Sequence, residues 1–122
     1  MCNMLISINP EHVENIFNGS KKYEYRKIRC KQEVDKIIIY STYPVKKVVG
    51  EAKVEEILED SPDNIWRETK SYSGIDLNFY QHYFKDKSKA IAYKLTNIKK
   101  YDNPKELSSY GIKAAPQSFV YV

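Results

Sequence analysis

Short segments in which apolar and polar positions alternate recur along the chain, and they predict about six β-strands. Residues 22–30 place two tyrosines on one face and Glu24 and Arg26 on the other, which is the two-residue period of a strand. A run of three isoleucines and a tyrosine within 36–42 is typical of a strand covered on both faces. The predicted strands are residues 4–8, 22–30, 36–42, 46–58, 90–101 and 118–122.

Two of the predicted strands are long and irregular. The alternation within 46–58 slips at Glu55 and Glu56, which predicts a β-bulge, and 90–101 slips before Ile98. Long, bulged strands separated by short helices favour a strongly bent sheet or a small barrel. Because the helices do not alternate regularly with the strands, a doubly wound parallel sheet is disfavoured. We therefore predict an α+β fold.

Three dipeptides predict where helices begin, because each places a capping residue before a proline at the first helical position. They are Asn9-Pro10, Ser61-Pro62 and Asn103-Pro104. A further helix is expected to start at Asp76, and Glu106 completes a capping box with Asn103. The predicted helices are residues 10–18, 62–70, a segment beginning at 76, and 104–110.

Composition narrows the class of protein. A length of 122 residues fits a single domain, expected to span 1–122. No apolar run reaches the roughly 18 residues of a membrane span, and no signal peptide is evident. Two cysteines at no metal spacing indicate a reduced cytoplasm, and two histidines argue against a histidine-built zinc site. No phosphate-binding glycine loop is present. We expect a cytoplasmic protein without a metal or cofactor.

Charge is segregated along the chain, although the net charge is only +4. Residues 20–36 carry seven basic and three acidic side chains, and 85–100 carry six lysines and one aspartate. Residues 51–68 carry seven acidic and two basic side chains. These stretches are either solvated faces of strands and helices, or two basic stretches that lie together beside a cleft. The acidic stretch would in addition suit the docking surface of a protein-interaction module.

The densest polar signal is the segment 19–26, GSKKYEYR, which has the pattern G-x-K-x-x-E-x-R. Arg26 offers a planar fork of donors and Glu24 an acceptor, and with Lys21 they would hold an anion and one polar edge of a flat ligand. The alternative is an ion pair on an exposed strand face, which contributes at most about 1 kcal/mol.

This pattern resembles the signature of the ASCH domain, a branch of the PUA-like superfamily. The segment Ser7-Ile8-Asn9-Pro10 resembles the family's opening strand, and residues 39–50 resemble its next hairpin. Residues 116–119, PQSF, are similar to the end of the small prokaryotic and phage type. The resemblance covers nearly the whole chain. It implies a PUA-like small β-barrel of about six strands, with short helices at the connections and a cleft beside the first helix.

The resemblance also implies what the cleft binds. Members of the family are thought to bind RNA or modified nucleosides there. The resemblance implies the same role for this chain, in RNA metabolism or regulation. The motif residues carry over directly, and Ser41 ends a strand that would line the cleft. Many members have a lysine at the position of Asn9. The expected ligand-binding residues are Lys21, Glu24, Arg26, Ser41, Asn9, Gln117 and Ser118.

Alternatives from other classes remain open. One branch of the family hydrolyses the acetyl amide of N4-acetylcytidine. That branch resembles this chain at Lys21 but has threonine in place of Glu24. Its third functional position is a glutamate, and Asp76 is the nearest counterpart in this chain. Another branch has been described as a ribonuclease. In a metal-independent hydrolase Lys21 and Glu24 would be catalytic, with Tyr40 as a further acid–base candidate for RNA. A binding protein needs only shape, stacking aromatics and basic side chains. The third alternative is a protein-interaction regulatory module.

Two groups of residues are predicted to be structural. The four aromatic residues within 79–84 are expected to pack in the core rather than to stack on bases. His12 follows the first helix start beside acidic residues and is expected at the surface.

Overall fold

Residues 2–122, which the computed structural model describes, form six β-strands and three α-helices. Two short 3₁₀ turns follow α2 and β5, at Lys70–Tyr72 and Leu107–Tyr110. The elements in chain order are β1 Cys2–Ile8, α1 Pro10–Phe17, β2 Tyr23–Arg26, β3 Val34–Ser41, β4 Lys47–Asp60, α2 Pro62–Thr69, α3 Leu77–Tyr83, β5 Ala90–Lys105 and β6 Phe119–Tyr121.

The six strands form one curled sheet in the order β2-β5-β4-β3-β1-β6. β1 and β3 are parallel, and the other pairs are antiparallel. The register between β4 and β5 shifts three times, one of the shifts falling between Val54 and Glu56, so the predicted bulge is confirmed. Bulges increase local twist and bend, and they let these two long strands curl into a half-barrel. The predicted α+β small barrel is confirmed.

The core lies on both sides of this sheet. On one side, α1 packs Val13 and Ile16 onto isoleucines of β1 and β3. On the other, Tyr25 of β2 packs with Ile65 of α2 and with Tyr80 of α3. The helices are therefore held against the sheet by their apolar faces, and their polar faces remain for other contacts.

Three of the four predicted helix starts, those at Asn9, Ser61 and Asp76, are confirmed, because each capping side chain makes its expected hydrogen bond. The Asn9 side chain accepts a hydrogen bond from the Glu11 amide, Ser61 caps α2, and Asp76 caps α3. The chain leaves α1 through Gly19, whose φ of +87° is in the left-handed region that favours glycine. It then reverses direction into β2.

The predicted helix at 104–110 is wrong. β5 continues to Lys105, which pairs with Val48, and a 3₁₀ turn begins only at Leu107. Pro104 lies in the irregular part of β5 between the pairings of Lys100 and Lys105, where its missing N–H does not interrupt the ladder. The Glu106 side chain forms no helix cap and instead pairs with Lys47.

Two further features bear on the site. β2 is shorter than predicted, and the chain leaves the sheet after Arg26, immediately beyond the motif. Within residues 2–122, no helix is long and apolar enough to cross a membrane.

Candidate ligand-binding site

A cavity of about 820 Å³ opens beside α1, between the motif strand β2 and the segment that leads into α3. The end of β1 supplies one wall and α1 a second. The turn at Gly74 and the first residues of α3 supply the third. The polar and aromatic side chains that line the cavity include Asn9, His12, Lys21, Glu24, Arg26 and Phe79.

Lys21 is buried at the inner wall, with 2% of its surface exposed. Its Nζ donates a hydrogen bond to the backbone oxygen of Ser73 at 2.9 Å and lies 4.8 Å from the centre of the Tyr25 ring. Burial lowers the pKa of Lys21 because it disfavours the charged form; Arg26 lowers it further, and Glu24 opposes the shift. The contact partner is a neutral carbonyl, so the ammonium charge is only partly compensated.

Gly74 makes room for this lysine. A Cβ atom at Gly74 would lie 2.4 Å from the Cβ of Lys21, and the glycine has a φ of +68°. Both the close approach and the backbone conformation require glycine here. The turn at Ser73 and Gly74 therefore fixes the place of the Lys21 side chain.

Glu24 and Arg26 form an ion pair that is largely withdrawn from solvent. The Arg26 Nη2 and Nε atoms donate to Oε2 of Glu24 at 2.7 and 3.1 Å. The side chains of Arg26 and Glu24 are only 13% and 8% exposed. The alternative of an exposed ion pair on the surface is therefore wrong. Arg26 also donates to the Ser7 backbone oxygen at 3.0 Å and to the Ser118 hydroxyl at 3.3 Å.

His12 joins the cavity wall from α1, although the sequence prediction placed it at the surface. Its ring meets Phe79 edge to face, with ring centres 5.3 Å apart. Its Nδ1 atom is buried and has no hydrogen-bond partner among residues 2–122. Burial and the neighbouring Lys21 lower the pKa of His12, and Glu24 partly opposes them. His12 and Asn15 both line the cavity, and they are three residues apart on one face of α1. This spacing is the signal in the sequence from which a position of His12 at the cavity could have been predicted.

The aromatic residues of α3 divide between core and cavity. Tyr80 and Phe84 are buried, as predicted. Phe79 is 49% exposed and lines the cavity together with Tyr83, so the core prediction is wrong for Phe79. An exposed ring at a cavity edge offers a flat face for a ligand ring.

The remaining sequence-predicted residues have varied positions. Asn9 lines the cavity and caps α1, whereas Ser118 contacts Arg26 from the position just before β6. Gln117 is exposed, and Ser41 is buried at the end of β3, and neither is among the described residues that line the cavity. Tyr40 packs in a separate apolar cluster, and Asp76 lies at the cavity edge as the cap of α3.

The charged stretches are partly paired with one another. In one of their two interpretations, the basic stretches lie together beside a cleft. β2 and β5, which belong to them, are neighbours in the sheet, but within the described chain no lysine of 85–100 lines the cavity. Three glutamates of the acidic stretch pair with basic residues, and hydrogen bonds from those partners lower the pKa of Glu51 and Glu59. The ion pairs are Glu51–Lys36, Glu55–Lys94, Glu59–Arg29 and Glu59–Lys89.

In the part of the chain described, no group of three or more His, Cys, Asp or Glu side chains is arranged so that it could hold a metal ion.

A curled six-stranded sheet, with short helices beside a polar cavity, defines a small PUA-like barrel. Residues 4–116 match the family described as "Domain of unknown function (DUF365)". The crystal structure of the ASCH protein from Zymomonas mobilis superposes with a TM-score of 0.89 and 27% identity, over 98% of this chain and 87% of that chain. A variant of that protein with phenylalanine in place of a tyrosine gives the same TM-score at 26% identity. The chain belongs to the DUF365 family and is an ASCH domain, as its motif predicted.

Sequence relatives of this chain carry several different names. An "ASCH domain-containing ribonuclease" from Zymomonas mobilis is 33% identical over 92 residues, which are 75% of this chain and 62% of the relative. Two Ureaplasma parvum proteins, "ATP synthase subunit alpha" and "Large ribosomal subunit protein uL22", are each 32% identical over 120 residues. The chain spans only 15% and 39% of their lengths. Those names therefore describe much longer proteins.

Proposed function

We propose that the cavity beside α1 binds a nucleotide of RNA or a modified nucleoside. One observation carries this proposal: the half-exposed ring of Phe79 lies at a cavity whose inner wall holds the buried ammonium group of Lys21. A stacking face and a cation in one cavity match the two halves of a nucleotide, its base and its phosphate. The name of the Zymomonas ribonuclease supports an RNA ligand.

The dimensions and donors of the cavity suit such a ligand. A volume of about 820 Å³ lies within the roughly 300–1,000 Å³ typical of small-molecule sites. The lysine ammonium has three N–H donors, one of which is used by Ser73. His12, whose Nδ1 is buried without a partner within residues 2–122, also lines the cavity. Arg26 is committed to Glu24 and Ser7, so its main role in this proposal is to hold the wall in place.

A titration of short fluorescent RNA at fixed low salt tests the proposal. We expect Phe79→Ala to weaken binding by about tenfold, since base–aromatic stacking contributes on the order of 1–3 kcal/mol. Ile98→Ala is the matched control, because Ile98 is also partly exposed, at 38%, but lies in β5 and not at the cavity. Equal affinity of the wild type and Phe79→Ala would contradict stacking at this site.

A second candidate function is cleavage of RNA, and the pair His12 and Lys21 favours it. Both have a lowered pKa and both line the cavity. A neutral His12 would take the proton of the 2′-OH, and the 2′ oxygen would form a bond to phosphorus as the bond to the 5′ oxygen breaks. The leaving oxygen would take a proton from Lys21. The products would be a 2′,3′-cyclic phosphate and a 5′-hydroxyl end.

Incubation of end-labelled RNA with wild type, His12→Ala and Lys21→Ala distinguishes cleavage from binding alone. We expect both variants to lose cleavage, while Lys22→Ala, which changes the exposed neighbour, keeps it. N4-acetylcytidine is incubated in parallel, since release of acetate would favour the amide hydrolase instead. Cleavage that survives Lys21→Ala would assign the activity to other residues or to a contaminant.

A further inference from the structure

A second groove lies between α2 and α3, outside the cavity described above. It has a volume of about 520 Å³. Its floor is aromatic, with Trp66, Tyr80 and Phe84, and Trp66 is only partly buried. Its rim carries three cations, Arg67, Lys70 and Lys87, and one carboxylate, Asp63.

The three cations of this groove are uncompensated. None of Arg67, Lys70 and Lys87 has a carboxylate oxygen within 4 Å in residues 2–122, and all three are exposed. Several lysines of the sheet differ, since Lys36 and Lys94 pair with glutamates. An aromatic floor beneath unpaired cations is suited to a ligand with flat rings and repeated negative charges.

The groove and the cavity are on opposite sides of α3. Phe79 and Tyr83 face the cavity, whereas Leu77 and Gln81 line the groove. The outer ridge of the helix between them is polar and exposed, with Asn78 and His82. A helix with its side chains is roughly 10–12 Å across, which a single strand crosses within a few nucleotides.

We propose that the α2–α3 groove binds the continuation of the same RNA strand whose nucleotide occupies the cavity. The strand passes over the outer ridge of α3, a base stacks on Trp66, and phosphates contact the three rim cations. This proposal rests on the proposed function of the cavity. An acidic peptide would match the cations but would use neither the Trp66 face nor the path from the cavity.

The test compares a short and a longer ligand. Single-stranded oligouridylates of two and six nucleotides are titrated against the wild type and against a groove variant that combines Arg67→Glu, Lys70→Glu and Lys87→Glu. The matched control combines Lys53→Glu, Lys99→Glu and Lys113→Glu, three exposed lysines outside both sites. Both triple variants change the net charge equally, so the comparison removes the effect of the overall field.

For the hexanucleotide, we expect the groove variant to lose at least about tenfold more affinity than the control variant loses. For the dinucleotide, we expect the groove variant to lose no more affinity than the control variant. The slope of log affinity against log salt for the hexanucleotide should fall by about 2, as three lost contacts to a single strand predict. Equal losses in the two triple variants would overturn the groove and leave the cavity function standing.

Two other results overturn the proposal in different ways. Failure of the wild type to bind either oligonucleotide would overturn the cavity function and the groove together. Binding of a polyglutamate decapeptide more tightly than the hexanucleotide, lost only in the groove variant, would assign the groove to an acidic protein partner. Thermal unfolding of each variant verifies that the comparison is made on folded protein.

Discussion

Arg26 in β2 donates a hydrogen bond to the backbone oxygen of Ser7 in β1, at 3.0 Å, although three strands separate β2 from β1 in the sheet. The same guanidinium reaches the Ser118 hydroxyl, just before the other edge strand, β6. Side-chain bonds therefore link the two open edges of the half-barrel, and they do so at the cavity. The motif arginine connects the fold to the site.

Arg26→Ala is expected to destabilise the domain by on the order of 3 kcal/mol. It leaves the largely buried Glu24 without its partner, and breaking one side of such a pair is strongly destabilising. Urea denaturation measures the change. Arg29→Ala is the matched control, because Arg29 pairs with Glu59 on the surface and its removal should change stability little. Similar losses in both variants would show that Arg26 does not join the edges.

Gly74→Ala is expected to displace Lys21 and to weaken RNA binding. The added Cβ would lie 2.4 Å from the Cβ of Lys21, so one of the two segments must move. Gly111→Ala provides the control, since Gly111 has a similar φ of +74° but no atom within 4 Å of the added Cβ. Both variants should lose about 1 kcal/mol from backbone strain, and only Gly74→Ala should lose affinity. Unchanged affinity in Gly74→Ala would show that the turn does not position the lysine.

Lys21→Met should weaken RNA binding and leave the fold intact. Methionine fills similar space without the cost of burying an ammonium group, so the midpoint of thermal unfolding should stay the same or rise. Loss of charge-assisted contacts should lower affinity by about tenfold or more. Lys22→Met, at the exposed neighbouring position, should bind as the wild type does. A large fall in the unfolding midpoint of Lys21→Met would instead assign Lys21 a structural role.

His12 should make stability depend on pH below about 6.5. The fold holds the pKa of His12 below its ordinary value of 6.5, so the unfolded chain binds the proton first as the pH falls. The free energy of unfolding should therefore decrease from about pH 7 to pH 5. His12→Gln should show a smaller decrease, and His82→Gln, at an exposed position, should follow the wild type. Parallel curves for wild type and His12→Gln would contradict this.

Local signals on the chain were sufficient for most elements. Caps at Asn9, Ser61 and Asp76 predicted three helix starts because capping is a contact between residues two or three apart. The same device failed at Asn103 because pairing of β5 with Val48 continues the strand through that segment. Strand pairing is long-range, so a local cap motif gives no information on it.

The site was only partly accessible from sequence. The motif brought Lys21, Glu24 and Arg26 together because its spacing is local to one turn and one strand. The sequence prediction assigned His12 to the surface and Phe79 to the core. The cavity forms only when α1 and α3 come together beside the motif strand, where the two rings meet. A helix wheel shows which residues share a face, but not what lies opposite that face.

The sequence by itself indicated the family through the resemblance of its motif to the ASCH signature. Periodicity, capping and local spacing determined the order of the strands, three of the four helix starts and the charged trio of the motif. The tertiary structure alone decided which polar groups lose their solvent. It buried Lys21 against the carbonyl of Ser73, gave Arg26 its bonds across the sheet edges, and left the Phe79 ring exposed. Burial depends on segments far apart in sequence, and burial is what shifts the pKa of Lys21 and His12.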